Sequence, residues 1–258
     1  MNHEYYNKLF SKNKECSKIL YFADGSKLMI FVTGDMHGDA KIFKQPTFKN
    51  IKKDDTLIIC GDFGFIWNGD KSEKVTLDKL SKKPYTICFV DGTHENFDLL
   101  AKYPVVEFAG GMAHKIRDNI YHLLRGYVFE IEGEKIFAMG GGESPDIDIR
   151  FENNTWSKAE IPSAEEMKNG VHNLEREKFE VDFIVTHEPP QKIKAFLNLK
   201  DKENVRFTGL NSYFEEINSS CKFTRWYFGS IHEDKFVSPS HIAVYRNLIK
   251  VQSGEIAR

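Results

Sequence analysis

No apolar stretch in this sequence approaches the roughly 20 residues that a membrane-spanning helix needs. Charge of one sign is also scarce: 36 basic and 38 acidic side chains leave a net charge of −2. That near-balance removes any electrostatic case for nucleic acid or an anionic membrane as partner. The four cysteines lie far apart, without the spacing of a zinc site or a disulfide framework. Cys60 and Cys88 fall inside apolar runs, where a cysteine serves as a small core residue. The first residues show no charged-then-apolar leader. These absences lead to an expectation of a reduced, soluble, cytoplasmic protein with no membrane partner. What is present suffices for a substantial core, since 41% of the 258 residues are hydrophobic and 13% aromatic.

Short β-rich runs recur at 28–33, 56–60, 85–90, 127–131, 135–139, 183–186, 225–228 and 242–245. They are continuous rather than alternating in polarity, which predicts strands covered on both faces. Between them lie helical candidates. The clearest begins at Ser163, where Ser163 and Glu166 have capping-box spacing after Pro162. Met167, Val171 and Leu174 then mark one helix face. Gly133, between Ile131 and Lys135, predicts a tight hairpin, so part of the sheet should be antiparallel. Strands alternating with helices predict a layered α/β protein. No repeat, low-complexity tract or long linker interrupts residues 29–258, which read as one domain. Residues 1–28 read as an N-terminal extension. Asp24-Gly25 between two apolar runs suits a hairpin, and a start codon placed too early is the alternative.

Five segments place a metal-ligand residue just after an apolar run. They are Gly34-Asp35-Met36-His37-Gly38, Gly61-Asp62, Gly92-Thr93-His94-Glu95, Thr186-His187-Glu188 and Gly229-Ser230-Ile231-His232. Each alone is more often a turn with a solvated side chain. In an open α/β sheet, however, ligands bind beyond the carboxyl ends of strands, which would bring the five to one rim. Aspartate and histidine together supply donors suited to Mn, Fe, Zn or Mg.

The ordered set resembles the calcineurin-like metallophosphoesterase superfamily, in particular its small bacterial or phage-type members, over nearly all of residues 29–258. The resemblance implies two mixed β-sheets packed as a sandwich flanked by helices. It also implies hydrolysis of a phosphomonoester or phosphodiester by metal-activated hydroxide, and so a phosphoester substrate as partner. Manganese is the first metal expected, with Fe, Zn, Ni or Mg as alternatives. Carried over position by position, Asp35, His37, Asp62 and His232 match the ligands of the first metal. Asp62 would bridge to a second metal, which would also use His187. Two positions depart from the pattern, because Thr93 stands where the family has Asn and Ser230 where it has His. Both belong to the second metal, and neutral hydroxyls are weak donors. The second site is therefore expected to be depleted. The alternative is a weakened or inactive relative that uses the pocket to bind a phosphate ligand or a partner.

His94 matches the family histidine that stands beside the metals and assists the leaving group. The competing role is a structural histidine bonded to Asp91 or Glu95. The segment Gly140–Asp146 with Arg150 resembles a Gly-rich element of small bacterial members. It makes Arg150 a candidate substrate-binding residue, against a plain ion pair. Phe65, Trp67 and Trp156 would wall a substrate pocket or, individually more often, pack in the core. His114, His122, His172 and His241 match no motif position.

Overall fold

Strands that are apolar on both faces need cover on both, and two stacked mixed sheets flanked by helices provide it. The structure, a computed structural model, describes residues 28–144, 147–152, 155–198 and 206–257. The expected hairpin at Asp24-Gly25 lies outside these residues, as do Pro145 and Asp146 of the Gly-rich segment. The first sheet contains β1 (Ile30–Thr33), β2 (Thr56–Cys60), β3 (Thr86–Val90), β4 (Val105–Phe108), β5 (Gly111–Arg117), β6 (Ile120–Leu123) and β13 (Ile249–Lys250). Its order is β13-β1-β2-β3-β6-β5-β4. The four strands β1, β2, β3 and β6 run parallel, with antiparallel strands at both edges. The second sheet contains β7 (Tyr127–Ile131), β8 (Glu134–Met139), β9 (Phe183–Thr186), β10 (Arg225–Phe228), β11 (Lys235–Ser238) and β12 (His241–Ala243), ordered β11-β12-β10-β9-β8-β7. Here β8, β9, β10 and β12 are parallel, and β7 and β11 pair antiparallel at the edges.

The core shows why the strands lack alternation. In β1, Ile30 and Val32 face the layer between the sheets while Phe31 faces outward. In β10, Tyr227 faces the inter-sheet layer and Trp226 and Phe228 the outer one. The outer layers are closed by helices, α1 (Lys71–Leu80) on the first sheet and α4 (Ala164–Arg176) and α6 (Gly209–Ser220) on the second. Shorter helices are α2 (Phe97–Leu100), α3 (Ile147–Glu152) and α5 (Gln191–Leu197). Helix α4 begins with the capping box read from sequence, Ser163 and Glu166 bonding reciprocally. The β7–β8 hairpin turns at Glu132 and Gly133, with φ of 50° and 78°. Consecutive positive φ values fit the tight turn expected there.

Strands β4, β5, β6, β11 and β13 escaped the sequence reading. In β4, exposed and half-buried residues alternate, so a search for continuous apolar runs passes over it. Cys60, Cys88 and Cys221 are buried and unpaired. No helix among the described residues is long and apolar enough to cross a membrane.

Candidate metal centre

The five motif segments converge. Asp35 follows β1, Asp62 follows β2 and His94 follows β3, all at the carboxyl ends of parallel strands. His187 follows β9 and His232 follows β10, at the same ends of parallel strands in the second sheet. The turns are sharp: His37, Asp62, Ser230 and His232 all have positive φ, at 47°, 48°, 59° and 51°. Such strained backbone outside glycine concentrates at functional sites. The turns are also tied to one another, since the N–H groups of Met36 and His37 both donate to the Asp62 carbonyl, at 3.0 and 2.8 Å. Two neighbouring glycines leave no room for a side chain. A Cβ at Gly92 would lie 2.1 Å from Asp62 Oδ1, and one at Gly229 would lie 2.4 Å from Asp35 Oδ1.

One candidate ligand atom from each of Asp35, His37, Asp62 and His232 falls within 4.8 Å of the others. His37 Nε2 and His232 Nε2 are 3.1 Å apart, and His232 Nε2 is 3.1 Å from Asp35 Oδ2. The carboxylates form a buried floor, 0% and 2% exposed, under imidazoles that are 33% and 51% exposed. A cation can therefore reach this site from solvent and still meet desolvated anions. Asp35 Oδ2 is buried and has no hydrogen-bond partner of acceptable geometry. An unsatisfied buried carboxylate oxygen is costly, and a cation would satisfy it. Burial works to raise the Asp62 pKa, but His187 and His94 prevail and hold the carboxyl below the usual carboxylate range. Asp35 is held low in the same way, by His187 and His232 against burial. Both carboxylates are thus kept ionised, the form that binds metal. Burial, outweighing the nearby carboxylates, lowers the His37 pKa and favours the neutral ligand form. The donor set of two nitrogens and two carboxylates fits a divalent first-row metal.

Residues 28–232 match the family model for calcineurin-like phosphoesterases. The chain belongs to this family. Among solved structures it is similar to phosphopantetheinyl hydrolase (PptH) from Mycobacterium tuberculosis, at 15% identity over 84% of this chain and 89% of that one, with a TM-score of 0.39. No curated protein matches.

In this calcineurin-like phosphoesterase, His187 lies beside the four-residue cluster. Its Nδ1 is 3.1 Å from the Cys60 carbonyl, and its Nε2 is 3.8 Å from Asp62 Oδ1. With Nδ1–H donating to the carbonyl, Nε2 keeps its lone pair for a metal, the arrangement typical of a ligating histidine. Burial opposes charge on His187, but Asp62 and Asp35 outweigh it and raise the pKa well above the ordinary value. The field that draws a proton there would equally draw a cation. Thr93 Oγ1 lies 3.2 Å from His94 Nδ1. Ser230 reaches the site with its backbone N–H, 3.4 Å from Asp35 Oδ1.

His94 takes neither of the carboxylate partners weighed from sequence. Its Nδ1 is 3.1 Å from Asp62 Oδ2, and its backbone N–H donates to Asp62 Oδ1 at 2.8 Å. Glu95 instead accepts from the Phe63 N–H at 2.6 Å and shapes the Asp62 turn from behind. Arg150 is buried, with its Nη1 donating to Ser144 Oγ and to Glu160, and its Nη2 to the Thr155 carbonyl. The ion pair it forms is a buried one. Phe65 and Trp67 line a cleft of about 420 Å³ shared with His37 and His94, while Trp156 lines a smaller one next to it. His172 is exposed near Glu175, and His241 packs beside Trp226 with Nε2 3.0 Å from Asn218.

Sequence reasoning missed the network under the His94 turn. Asp91 binds the buried Arg125 through both Nε and Nη2, at 3.0 and 2.5 Å, and lies 3.0 Å from His122 Nε2. Burial works to raise the Asp91 pKa, but Arg125 and His122 hold it below the usual range. The Asp91 carbonyl also accepts from Gly141 N–H at 2.9 Å, linking the His94 turn to the Gly-rich segment. Asp91 precedes Gly92 in sequence, but nothing local signals that Arg125 is its partner. These residues edge a larger cleft of about 830 Å³ whose Arg125 is already paired with Asp91 and Glu166. Asp91→Asn leaves the Arg125 guanidinium buried with only the half-exposed Glu166 for an anion. It is expected to destabilise the fold by about 3 kcal/mol in denaturant unfolding. A loss below about 1 kcal/mol, the range of an exposed pair, would show that Glu166 alone suffices.

Proposed function

We propose that this protein is a metal-dependent phosphoric ester hydrolase with one complete metal site and a depleted second one. The observation that carries the reading is the convergence of Asp35, His37, Asp62 and His232 around a buried carboxylate oxygen of Asp35 that lies beside His232 but lacks a hydrogen bond of acceptable geometry. Those four residues would hold the first divalent ion, and Asp62 and His187 would contribute to a second. Manganese is the first choice of metal. When bound, such an ion supplies Lewis-acid charge that acidifies water and neutralises phosphoryl oxygens.

The chain's own residues do the rest. Asp62 orients His94 through the side-chain and backbone contacts just described. With Nδ1–H directed at Asp62, a protonated His94 carries its second proton on Nε2. From there it can pass to the departing ester oxygen, and the neutral imidazole is left behind. Arg150, expected from sequence to hold a phosphate oxygen, is instead buried between Ser144 and Glu160, where it braces the end of the Gly-rich segment and does not reach phosphate itself. Gly142 in that segment abuts Thr93, where an added Cβ would be 2.7 Å from Thr93 Cγ2.

The test is turnover of aryl phosphate mono- and diesters across Mn, Mg, Ni and Zn, with Asp62→Ala as the blank. Metal analysis after gel filtration is expected to show about one tightly held ion per chain. Two fully occupied transition-metal sites without added metal would overturn the depleted-site reading. The paired change Thr93→Asn and Ser230→His restores the family's donor set. It is expected to tighten a second ion and raise turnover, with each single change achieving less because ligands of one ion act together. Metal binding without turnover in either protein would favour the second reading, a phosphate-ligand or partner-binding module. Thr93 and Ser230 are the residues that support that alternative.

A further inference from the structure

The cleft of about 420 Å³ that opens beside the metal centre shares His37 and His94 with it. If His94 serves the departing oxygen, as the hydrolase reading holds, the leaving group occupies this cleft. We infer that Trp67 is the specificity-determining wall of the cleft and that the preferred substrates are phosphoesters with a flat aromatic, uncharged leaving group.

Trp67 is held in place at both of its peptide groups. Its N–H donates to Glu73, at 3.1 Å to one oxygen and 3.2 Å to the other, and its carbonyl accepts from Asn96 Nδ2 at 2.7 Å. Glu73 also takes the N–H groups of Asn68 and Gly69, at 2.8 and 2.7 Å, so one carboxylate ties three successive residues. Asn96 in turn caps α2 through its side chain. Backbone tied this firmly belongs to a preorganised binding surface, which loses little entropy when a ligand arrives. The indole itself is only partly buried. Among the described residues no other aromatic ring stacks on it, in contrast to Phe63 and Phe89 beneath, which stack with centroids 4.1 Å apart.

The rest of the lining sets the charge. Asn68, Ser72 and Thr76 are uncharged hydrogen-bonding residues, and among the described residues no lysine or arginine lines the cleft. The acidic group present, Glu73, is already engaged by backbone N–H groups. A leaving group bearing a further phosphate would meet this carboxylate without any counter-charge, which is unfavourable at close range. A neutral ring with polar edges suits both the indole face and the amide and hydroxyl groups beside it.

The experiment compares benzyl phosphate with cyclohexylmethyl phosphate, whose leaving alcohols are similar in size and basicity but differ in flatness and π character. Wild type is expected to favour the benzyl ester in kcat/KM. Trp67→Ala is expected to reduce that preference by roughly threefold to tenfold, and Trp67→Phe to retain most of it. Metal content is measured in each variant. Binding is followed separately by quenching of tryptophan emission with benzylphosphonate, which cannot be hydrolysed. The quench is expected in wild type and lost in Trp67→Phe. Equal losses for both esters in Trp67→Ala, or an undiminished quench in Trp67→Phe, would overturn the inference while leaving hydrolysis intact. A Trp67-dependent quench with no turnover of either ester would uphold the cleft assignment and overturn the hydrolase reading instead. Neither turnover nor quench would overturn both.

Discussion

Asp62→Ala is expected to abolish phosphoester turnover and to strip the protein of tightly held metal. Its carboxylate faces three of the site's histidines, His37 within the four-residue cluster and His94 and His187 beside it. Asp62 Oδ2 lies 3.1 Å from His94 Nδ1 and 3.7 Å from His37 Nε2, and Oδ1 lies 3.8 Å from His187 Nε2. On the proposed reading its removal would delete a first-site ligand and the carboxylate that the two metal positions would share. It also removes one of the carboxylates that favour a charged His187, leaving Asp35 and Glu188. Metal analysis beside turnover of an aryl phosphate in manganese tests this, with circular dichroism to show that the sheets persist. The carbonyl of residue 62, which ties the Met36 and His37 turn, survives the substitution. Turnover within about tenfold of wild type would remove Asp62 from the mechanism.

His94→Ala is expected to lower turnover by about 10²–10⁴-fold while metal content stays unchanged. The split follows from position. His94 lies outside the four-residue cluster, and its backbone N–H still donates to Asp62 Oδ1 once the imidazole is gone. What disappears is the proton that the ring would supply to the departing oxygen. The penalty should therefore shrink as the leaving group becomes a weaker base, because a good leaving group departs without protonation. A series of aryl and alkyl phosphates resolves this. A penalty independent of leaving-group basicity would assign His94 to stabilising charge on the phosphoryl group. Unchanged rates with poor leaving groups would dismiss it altogether.

The site was readable in the sequence because its turns are local. A short apolar strand followed by Gly-Asp or Asp-x-His specifies a strand end, a tight turn and a donor within a few residues. Every motif residue from Asp35 to His232 accordingly sits at the carboxyl end of a strand. Helix α4 was readable for the same reason, as its capping box and apolar face both lie within one short segment. The partly solvated strands were not. Lys235–Ser238 and Gly111–Arg117 pair with adjacent strands through short hairpins but have few purely apolar residues, so a search for continuous apolar runs passes over them.

By itself, the sequence determined the family, the strand ends and the candidate metal-ligand residues, since these follow from residue types at short spacing. Tertiary structure alone decided what those residues face. It gave His94 to Asp62, 32 positions away, and left Asp91 to Arg125 and His122. It turned Arg150 inward to Glu160 and Ser144, and it held Trp67 between Glu73 and Asn96 at the mouth of the site. The reason is that a buried charge or unpaired backbone group takes whichever partner the packed sheets bring within hydrogen-bond reach, and that partner is set by the crossing of distant strands rather than by neighbours in sequence.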